Sequence, residues 1–315
     1  MEPAFRVRGL TKRFGSHVVI DNINLNIMPG EIIGLIGSSG SGKTTLLNVL
    51  IGFLKPEKGE VQFSDHFVTN KQPKYWNVQS MHDRLKRLYG FAAQIPSFYP
   101  ELTVQENLIY FGNLYDLTPG SIQRNTETLL KLMNLEEFRH LPAKKLSGGM
   151  VRRMDIACSL IHNPAVLFLD EPTADLDPVL RNQIWDLIRK INQRGTTIIL
   201  ASHHLTELEG LCNRIAILHE GAILDMGSPH TLKQKHGKHK QIILESYPGE
   251  YNSFLHEFEN GSVKEGRMIL LTQNPEHTLR KLLPLLERHH ESIIDLTVGS
   301  PSLDDIFIQL TGDGK

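Results

Sequence analysis

Three apolar runs stand out because they do not alternate: Ile32-Ile33-Gly34-Leu35-Ile36, Ala165-Val166-Leu167-Phe168-Leu169, and Thr196-Thr197-Ile198-Ile199-Leu200-Ala201-Ser202. Strands buried on both faces have this character, as in a parallel sheet covered by helices. Two stripes at helical spacing fall between the runs. Ile122, Leu129, Leu130 and Met133 follow a start signal at Thr118-Pro119, and Leu180, Ile184, Leu187, Ile188 and Ile191 form the second. Each predicts a helix with one face to bury. Residues 5–10, 18–20 and 23–27 read as short strands of an antiparallel edge region, separated by turns at Phe14-Gly15-Ser16 and Asp21-Asn22. Residues 59–63 return as a strand, and residues 64–87, which show no period, predict a loop or insertion with a short helix. Residues 214–218 and 222–225, joined through His219-Glu220-Gly221, predict a closing hairpin.

Near residue 228 the pattern changes. A basic run, Lys233-Gln234-Lys235-His236-Gly237-Lys238-His239-Lys240, reads as a solvated linker. Strand-like segments at 241–245, 268–272 and 293–298 surround a leucine stripe, Leu279, Leu282, Leu283 and Leu286, whose helix Pro284 should kink or split. A short helix is expected at 303–310. The reading is an α/β domain over residues 1–227 and a small α+β domain over 228–315.

Composition narrows this picture in three ways. A net charge of -1 gives no global attraction to nucleic acid. Two cysteines, Cys158 and Cys212, support neither a disulfide framework nor a metal knuckle and read as small core residues. The first residues lack the apolar core of a secretion signal, and no apolar run approaches bilayer length. A cytoplasmic location is expected, with the membrane touched only through a partner.

The candidate chemistry centres on Gly37-Ser38-Ser39-Gly40-Ser41-Gly42-Lys43-Thr44-Thr45, which follows the first apolar run and precedes Leu46-Leu47-Asn48-Val49-Leu50. Strand, glycine-rich loop and helix in this order make a phosphate-binding loop, with backbone N–H groups and a helix dipole facing one point. Lys43 would reach the β- and γ-phosphates, and Thr44 the magnesium ion. Hydrolysis needs a metal anchor and a way to activate water. Asp170, ending the second run, can hold magnesium, and the adjacent Glu171 can polarise the attacking water. His203 or its neighbour His204 follows the third run, where an imidazole could hold that water. Gln94 offers an uncharged group able to reach metal or water. Leu146-Ser147-Gly148-Gly149-Met150 opens a further helix, with Ser147 as N-cap, and makes a second anion site. One nucleotide does not need two helix N-termini so far apart in sequence, so two chains facing each other head to tail are expected.

Together these residues resemble the ATP-binding cassette family, the nucleotide-binding subunits of ABC transporters, with residues 1–227 carrying the match. Phe14 resembles the adenine-stacking position, residues 37–45 the Walker A loop, Gln94 the Q-loop, residues 146–150 the signature, residues 166–171 the Walker B strand with its catalytic glutamate, and Ala174-Asp175-Leu176-Asp177 the D-loop. The family pattern selects His203 over His204. Met150 and Phe14 depart from the family's usual Gln and Tyr, leaving the serine, the glycines and the aromatic face in place. The resemblance implies a P-loop NTPase cassette with a mixed, mainly parallel sheet, an antiparallel edge subdomain and a helical subdomain. It also implies ATP and Mg2+ as ligands and a nucleotide held between this Walker A loop and Ser147, Gly148 and Gly149 of a second copy or homologous cassette. Gln94 and residues 103–115 would pass motion to a transmembrane permease. The ending Gly299-Ser300-Pro301-Ser302-Leu303-Asp304-Asp305-Ile306-Phe307 resembles cassettes of the drug, antibiotic and lipid export type, so an exporter is expected. The competing readings are a soluble cassette ATPase of assembly or repair, such as iron–sulfur cluster assembly, and a nucleotide-dependent binder that does not hydrolyse.

Overall fold

In chain order the first 227 residues form β1 (Phe5–Phe14), β2 (His17–Ile27), β3 (Ile32–Ile36), α1 (Lys43–Ile51), β4 (Lys58–Phe63), α2 (His66–Thr69), β5 (Trp76–Asn77), α3 (His82–Leu85) and β6 (Tyr89–Ala92). They continue with α4 (Val104–Leu114), α5 (Pro119–Met133), α6 (Gly148–Leu160), β7 (Val166–Asp170), α7 (Pro178–Asn192), β8 (Thr197–Ser202), α8 (Leu205–Glu209), β9 (Arg214–His219) and β10 (Ala222–Gly227). The computed structural model describes residues 2–69, 71–203, 205–236, 240–264, 266–300 and 302–311. By contact density the chain divides into Met1–Met226 and Gly227–Lys315.

The three apolar runs are strands β3, β7 and β8, buried at every position. They sit inside a six-stranded sheet of order β10-β9-β3-β8-β7-β6, with β9, β3, β8, β7 and β6 pairing in parallel. Register matters here. Ile36 pairs with Ser202 and Asp170 with Ala201, so the residues that follow all three strands leave the sheet in one row. Ligands of open α/β sheets bind at that edge, outside the carboxyl ends of the strands.

The expected edge region is a second sheet of order β2-β1-β4-β5. Its first two strands correct the sequence reading. Residues 18–20 and 23–27 are one strand, β2, paired with β1 from Phe5↔Ile27 to Phe14↔His17. Register shifts near Leu10 and Lys12 absorb the expected break, and Asn22 takes φ 49°, a conformation its short polar side chain tolerates. Residues 64–87 hold α2, β5 and α3, and Val78 and Leu85 anchor them in the core beside Phe5, Val61 and Phe63. Helices α4, α5 and α6 pack on one another, and α6 packs on β6. The predicted cap of α5 is in place: Thr118 Oγ1 accepts from Ser121 N at 3.3 Å, with Pro119 at the first turn. The hairpin β9–β10 turns through Glu220 and Gly221, at φ 46° and 81°.

Residues 227–311 build α9 (Pro229–His236), β11 (Lys240–Tyr247), β12 (Gly261–Lys264), β13 (Arg267–Thr272), α10 (Pro275–Arg288), β14 (Ser292–Gly299) and α11 (Leu303–Thr311). The strands form an antiparallel sheet of order β12-β13-β11-β14. Leu282, Leu285 and Leu286 of α10 cover Ile242, Leu244, Met268 and Leu270. Two expectations are corrected. Lys233, Lys235 and His236 belong to the last turn of α9 rather than to a linker, while residues 237–239 lie outside the described residues. Helix α10 runs through Pro284 unbroken, because Pro284 faces solvent, where water can satisfy the carbonyl that proline leaves without a donor.

Glu291 fixes the turn after β11. Its buried carboxylate accepts from Ser246 Oγ at 2.7 Å, Gly249 N at 2.8 Å and Glu250 N at 2.6 Å. Burial raises its pKa, but these donors and nearby His289 outweigh it and hold the acid below its ordinary value. The stabilisation is therefore present above the unfolded-state pKa and is lost as pH falls through the folded one. In Glu291→Ala, amide exchange at Gly249 and Glu250 in the full chain is expected to speed about ten- to a hundredfold at neutral pH, since these part-buried donors lose their acceptor. Unchanged exchange would remove Glu291 from this role.

Candidate active site

The carboxyl ends of β3, β6, β7 and β8 open on one cleft of about 740 Å³. Phe14, Gln94, Glu171, His203 and most of the 37–45 loop line it, joined by Val19. Another groove of about 600 Å³ runs past Pro164, Ala165 and Thr196 at the opposite ends of β7 and β8, but Arg194 is its only titratable lining residue. The chemistry belongs to the first cleft.

The loop takes its shape from close backbone approach. A Cβ at Gly37 would run into Ser41 Oγ and the Leu218 carbonyl oxygen, and one at Gly42 would lie 2.6 Å from the Val19 carbonyl oxygen. Gly40 and Gly42 have φ 82° and 100°, which only glycine adopts without strain. Gly42 precedes α1 and supplies no side-chain cap, so the first N–H groups of that helix are left for the loop and whatever it holds.

Lys43 is buried at the first position of α1. Its Nζ donates to the carbonyl oxygens of Gly37 at 2.8 Å and Ser38 at 3.1 Å, and lies 3.9 Å from Glu171 Oε1. Burial lowers its pKa, while the charges of Glu171 and Asp170 work the other way. Glu171 Oε2 is 2.9 Å from His203 Nδ1. An ionised carboxylate only accepts, so Nδ1 carries the proton in this contact. Glu171 itself sits at φ 47° between Asp170 and Pro172, with its N–H donating to Ala201 O at 2.9 Å. Such a conformation costs about 1–3 kcal/mol and persists where the surroundings over-determine it, often at functional sites. His204 lies outside the described residues.

Asp170 has its carboxylate at the end of a fully buried strand. Burial raises its pKa, and a hydrogen bond from the Thr44 side chain opposes that shift. Its Oδ1 is buried without a hydrogen-bond partner. A buried carboxylate oxygen with no donor beside a threonine hydroxyl fits a hard divalent cation, since Mg2+ is held by one or two protein oxygens together with substrate phosphates. No cluster of three or more acidic, histidine or cysteine ligands occurs among the described residues.

Four predicted residues, Ser147, Gly148, Gly149 and Asp177, stand apart from the cleft lining. Ser147 and Gly148 are exposed at the start of α6, and Gly149 is buried there. Ser147 occupies the N-cap position, yet its hydroxyl makes no capping bond, contrary to the expected role as cap. Asp177 caps α7, accepting from Val179 N at 2.9 Å and Leu180 N at 3.0 Å. The sequence reading missed Val19, whose apolar side chain gave no chemical signal. It also missed Arg152 and Asp155, whose signal was available: two opposite charges three residues apart on the helix that Leu146-Ser147-Gly148-Gly149-Met150 opens.

A family model described as "ABC transporter" matches residues 20–174, and one described as "ATP-binding protein DrrA1-3-like, C-terminal domain" matches residues 227–311. The chain is 33% identical over 317 residues to the Nod factor export ATP-binding protein I of Rhizobium sp. (strain N33), covering 98% of this chain and 97% of that protein. It is 31% identical to the daunorubicin resistance ATP-binding protein DrrA3 of Streptomyces coeruleorubidus, covering 100% and 98%. Among solved structures, CbiO1 of Clostridium perfringens, described as part of an ABC transporter complex, superposes with a TM-score of 0.66 at 28% identity over 75% of this chain and 92% of that one. A cassette solved as a dimer in a post-hydrolysis state, bound to ADP and Pi, superposes with a TM-score of 0.62 at 28% identity over 71% and 98%. None of these is named for assembly or repair, and the soluble alternative is not favoured. No helix among the described residues is long and apolar enough to cross a membrane. The chain belongs to the ABC transporter family, as one of its ATP-binding, ATP-hydrolysing cassettes.

Proposed function

We propose that this chain is the ATPase subunit of an export-type ABC transporter, and that its cleft is half of a composite ATP site completed by a second copy. The observation that carries this reading is the convergence of Lys43, Glu171 and His203 at one sheet edge while Ser147 and Gly148 stand exposed outside that cleft. Phe14, about half exposed at the end of β1, offers its ring to adenine. The loop N–H groups and Lys43 hold the phosphates. Thr44 and the orphaned oxygen of Asp170, with Gln94 of the cleft lining, would hold Mg2+, which would neutralise charge on the phosphate oxygens. Glu171 accepts the proton of the attacking water, and His203 keeps that carboxylate oriented. The γ-phosphoryl bond to ADP breaks as the water oxygen attaches, leaving ADP and phosphate. Ser147, Gly148 and Gly149 would meet the nucleotide of the partner copy, with Asp177 in the segment between the copies.

The partner that feels this cycle is a separate membrane permease, which would keep the chain at the cytoplasmic face of the membrane. Support comes from the segment following Gln94. Buried Asn107 of α4 ties it down, accepting from Tyr99 N at 2.8 Å and donating to Tyr99 O at 2.9 Å. Ile95, Tyr99, Ile109 and Tyr110 are exposed there, an apolar surface a permease segment would cover. The export direction follows the relatives' names.

If the site needs two copies, ATPase activity per subunit rises with protein concentration until dimers saturate, measured at fixed saturating ATP. A specific activity independent of concentration, from protein that sedimentation shows to be monomeric, would sink the composite site. Pull-down from detergent-solubilised membranes should recover a permease; recovery of soluble partners alone would count against the transporter role.

A further inference from the structure

Arg152 and Asp155 lie one turn apart on α6, both buried, with Arg152 Nη1 3.4 Å from Asp155 Oδ2. Their other bonds leave the helix. Arg152 Nε donates to Pro172 O at 2.9 Å, Nη2 to Asp170 O at 2.7 Å and Nη1 to Ala93 O at 2.6 Å. One guanidinium thus grips the carbonyls on both sides of Glu171 and the carbonyl just before Gln94. Asp155 Oδ1 accepts from Ser97 N at 3.0 Å and Ser97 Oγ at 3.3 Å, so the Gln94 segment is held at both ends by the same helix.

We propose that Arg152 and Asp155 are positioning residues: a buried brace through which the N-terminus of α6, engaged at the nucleotide of the second copy, sets the placement of Glu171 and Gln94 in its own chain. This rests on the composite-site reading. The physical case has three parts. Glu171 is held at φ 47°, which needs neighbours that fix the backbone around it, and two of the three Arg152 bonds end on the carbonyls of the adjacent residues, Asp170 and Pro172. Three divergent carbonyls suit the planar fork of arginine and no other side chain. A buried ion pair serving stability alone is often replaceable by apolar residues, yet this pair spends its bonds within two or three residues of two functional side chains. A shift of the α6 N-terminus therefore reaches the Glu171 and Gln94 segments through short, directional hydrogen bonds.

The test uses the full chain with ATP and Mg2+. Arg152→Lys keeps the charge but cannot span three carbonyls; it is expected to lower kcat about 10- to 100-fold while the Kd of a fluorescent ATP analogue stays within about twofold. Asp155→Asn carries the same expectation should Arg152→Lys fold poorly. The double variant Arg152→Lys/Ser147→Ala should be little worse than the weaker single variant, because both changes interrupt one link. A wild-type kcat in Arg152→Lys with Ser147→Ala impaired, a parallel loss of nucleotide affinity, or additive losses in the double variant overturns the brace. A wild-type rate in Ser147→Ala overturns the composite site instead.

Discussion

Glu171→Gln is expected to lower ATP hydrolysis about 10²- to 10⁴-fold, the range a positioned general base contributes, with ATP affinity nearly unchanged. Glutamine matches glutamate in shape and can still meet His203, whose Nδ1 is 2.9 Å from Glu171 Oε2, but it cannot take a proton from water. Lys43 and the glycine-rich loop are untouched, so phosphate binding persists. With hydrolysis stalled, ATP-bound dimers should accumulate, visible as a doubling of mass on size exclusion in ATP and a return to monomer in ADP. Hydrolysis at the wild-type rate would be irreconcilable with Glu171 as the base. The conformation of Glu171 adds a control: with the backbone at φ 47°, the amide variant is the appropriate change, because Gly or Pro here would alter the backbone as well as the chemistry.

Lys43→Ala should act one step earlier, weakening ATP itself by about thirtyfold or more, as truncating one partner of a buried, hydrogen-bonded charge pair does. Lys43 is 7% exposed, bonded to two loop carbonyls and 3.9 Å from Glu171 Oε1. Its removal leaves the phosphates without their buried cation and Glu171 without its neighbouring positive charge. Equilibrium binding of a fluorescent ATP analogue checks the first effect, and normal affinity would contradict the phosphate-loop role. The two variants separate cleanly. Glu171→Gln should bind without turning over, and Lys43→Ala should fail to bind.

Much of the fold was legible because burial on both faces writes itself into sequence as an unbroken apolar run. Strands β3, β7 and β8 and helices α5 and α7 all fall where the pattern put them. The misreadings share a cause. Asn22 and Pro284 both signal a break in isolation, yet β2 continues because a bulge and a left-handed Asn absorb the irregularity, and α10 continues because Pro284 points to water. The last turn of α9 was hidden by charge, since Leu232 is its one buried residue.

The sequence by itself determined the phosphate loop, because glycine spacing, the lysine and the following helix act within a dozen consecutive residues and need no distant partner. It also determined which carboxylate ends a buried strand. Tertiary structure alone decided what these groups face. Glu171 and His203 are 32 residues apart and meet because β7 and β8 pair in a register that ends both strands at one edge. Ser147 lies outside the lining of its own chain's cleft, and Arg152 acquires its three carbonyls from segments as far as 59 residues away. Local chemistry is encoded by neighbours in sequence, whereas long-range contacts depend on strand order and register, which the hydrophobic pattern alone leaves open.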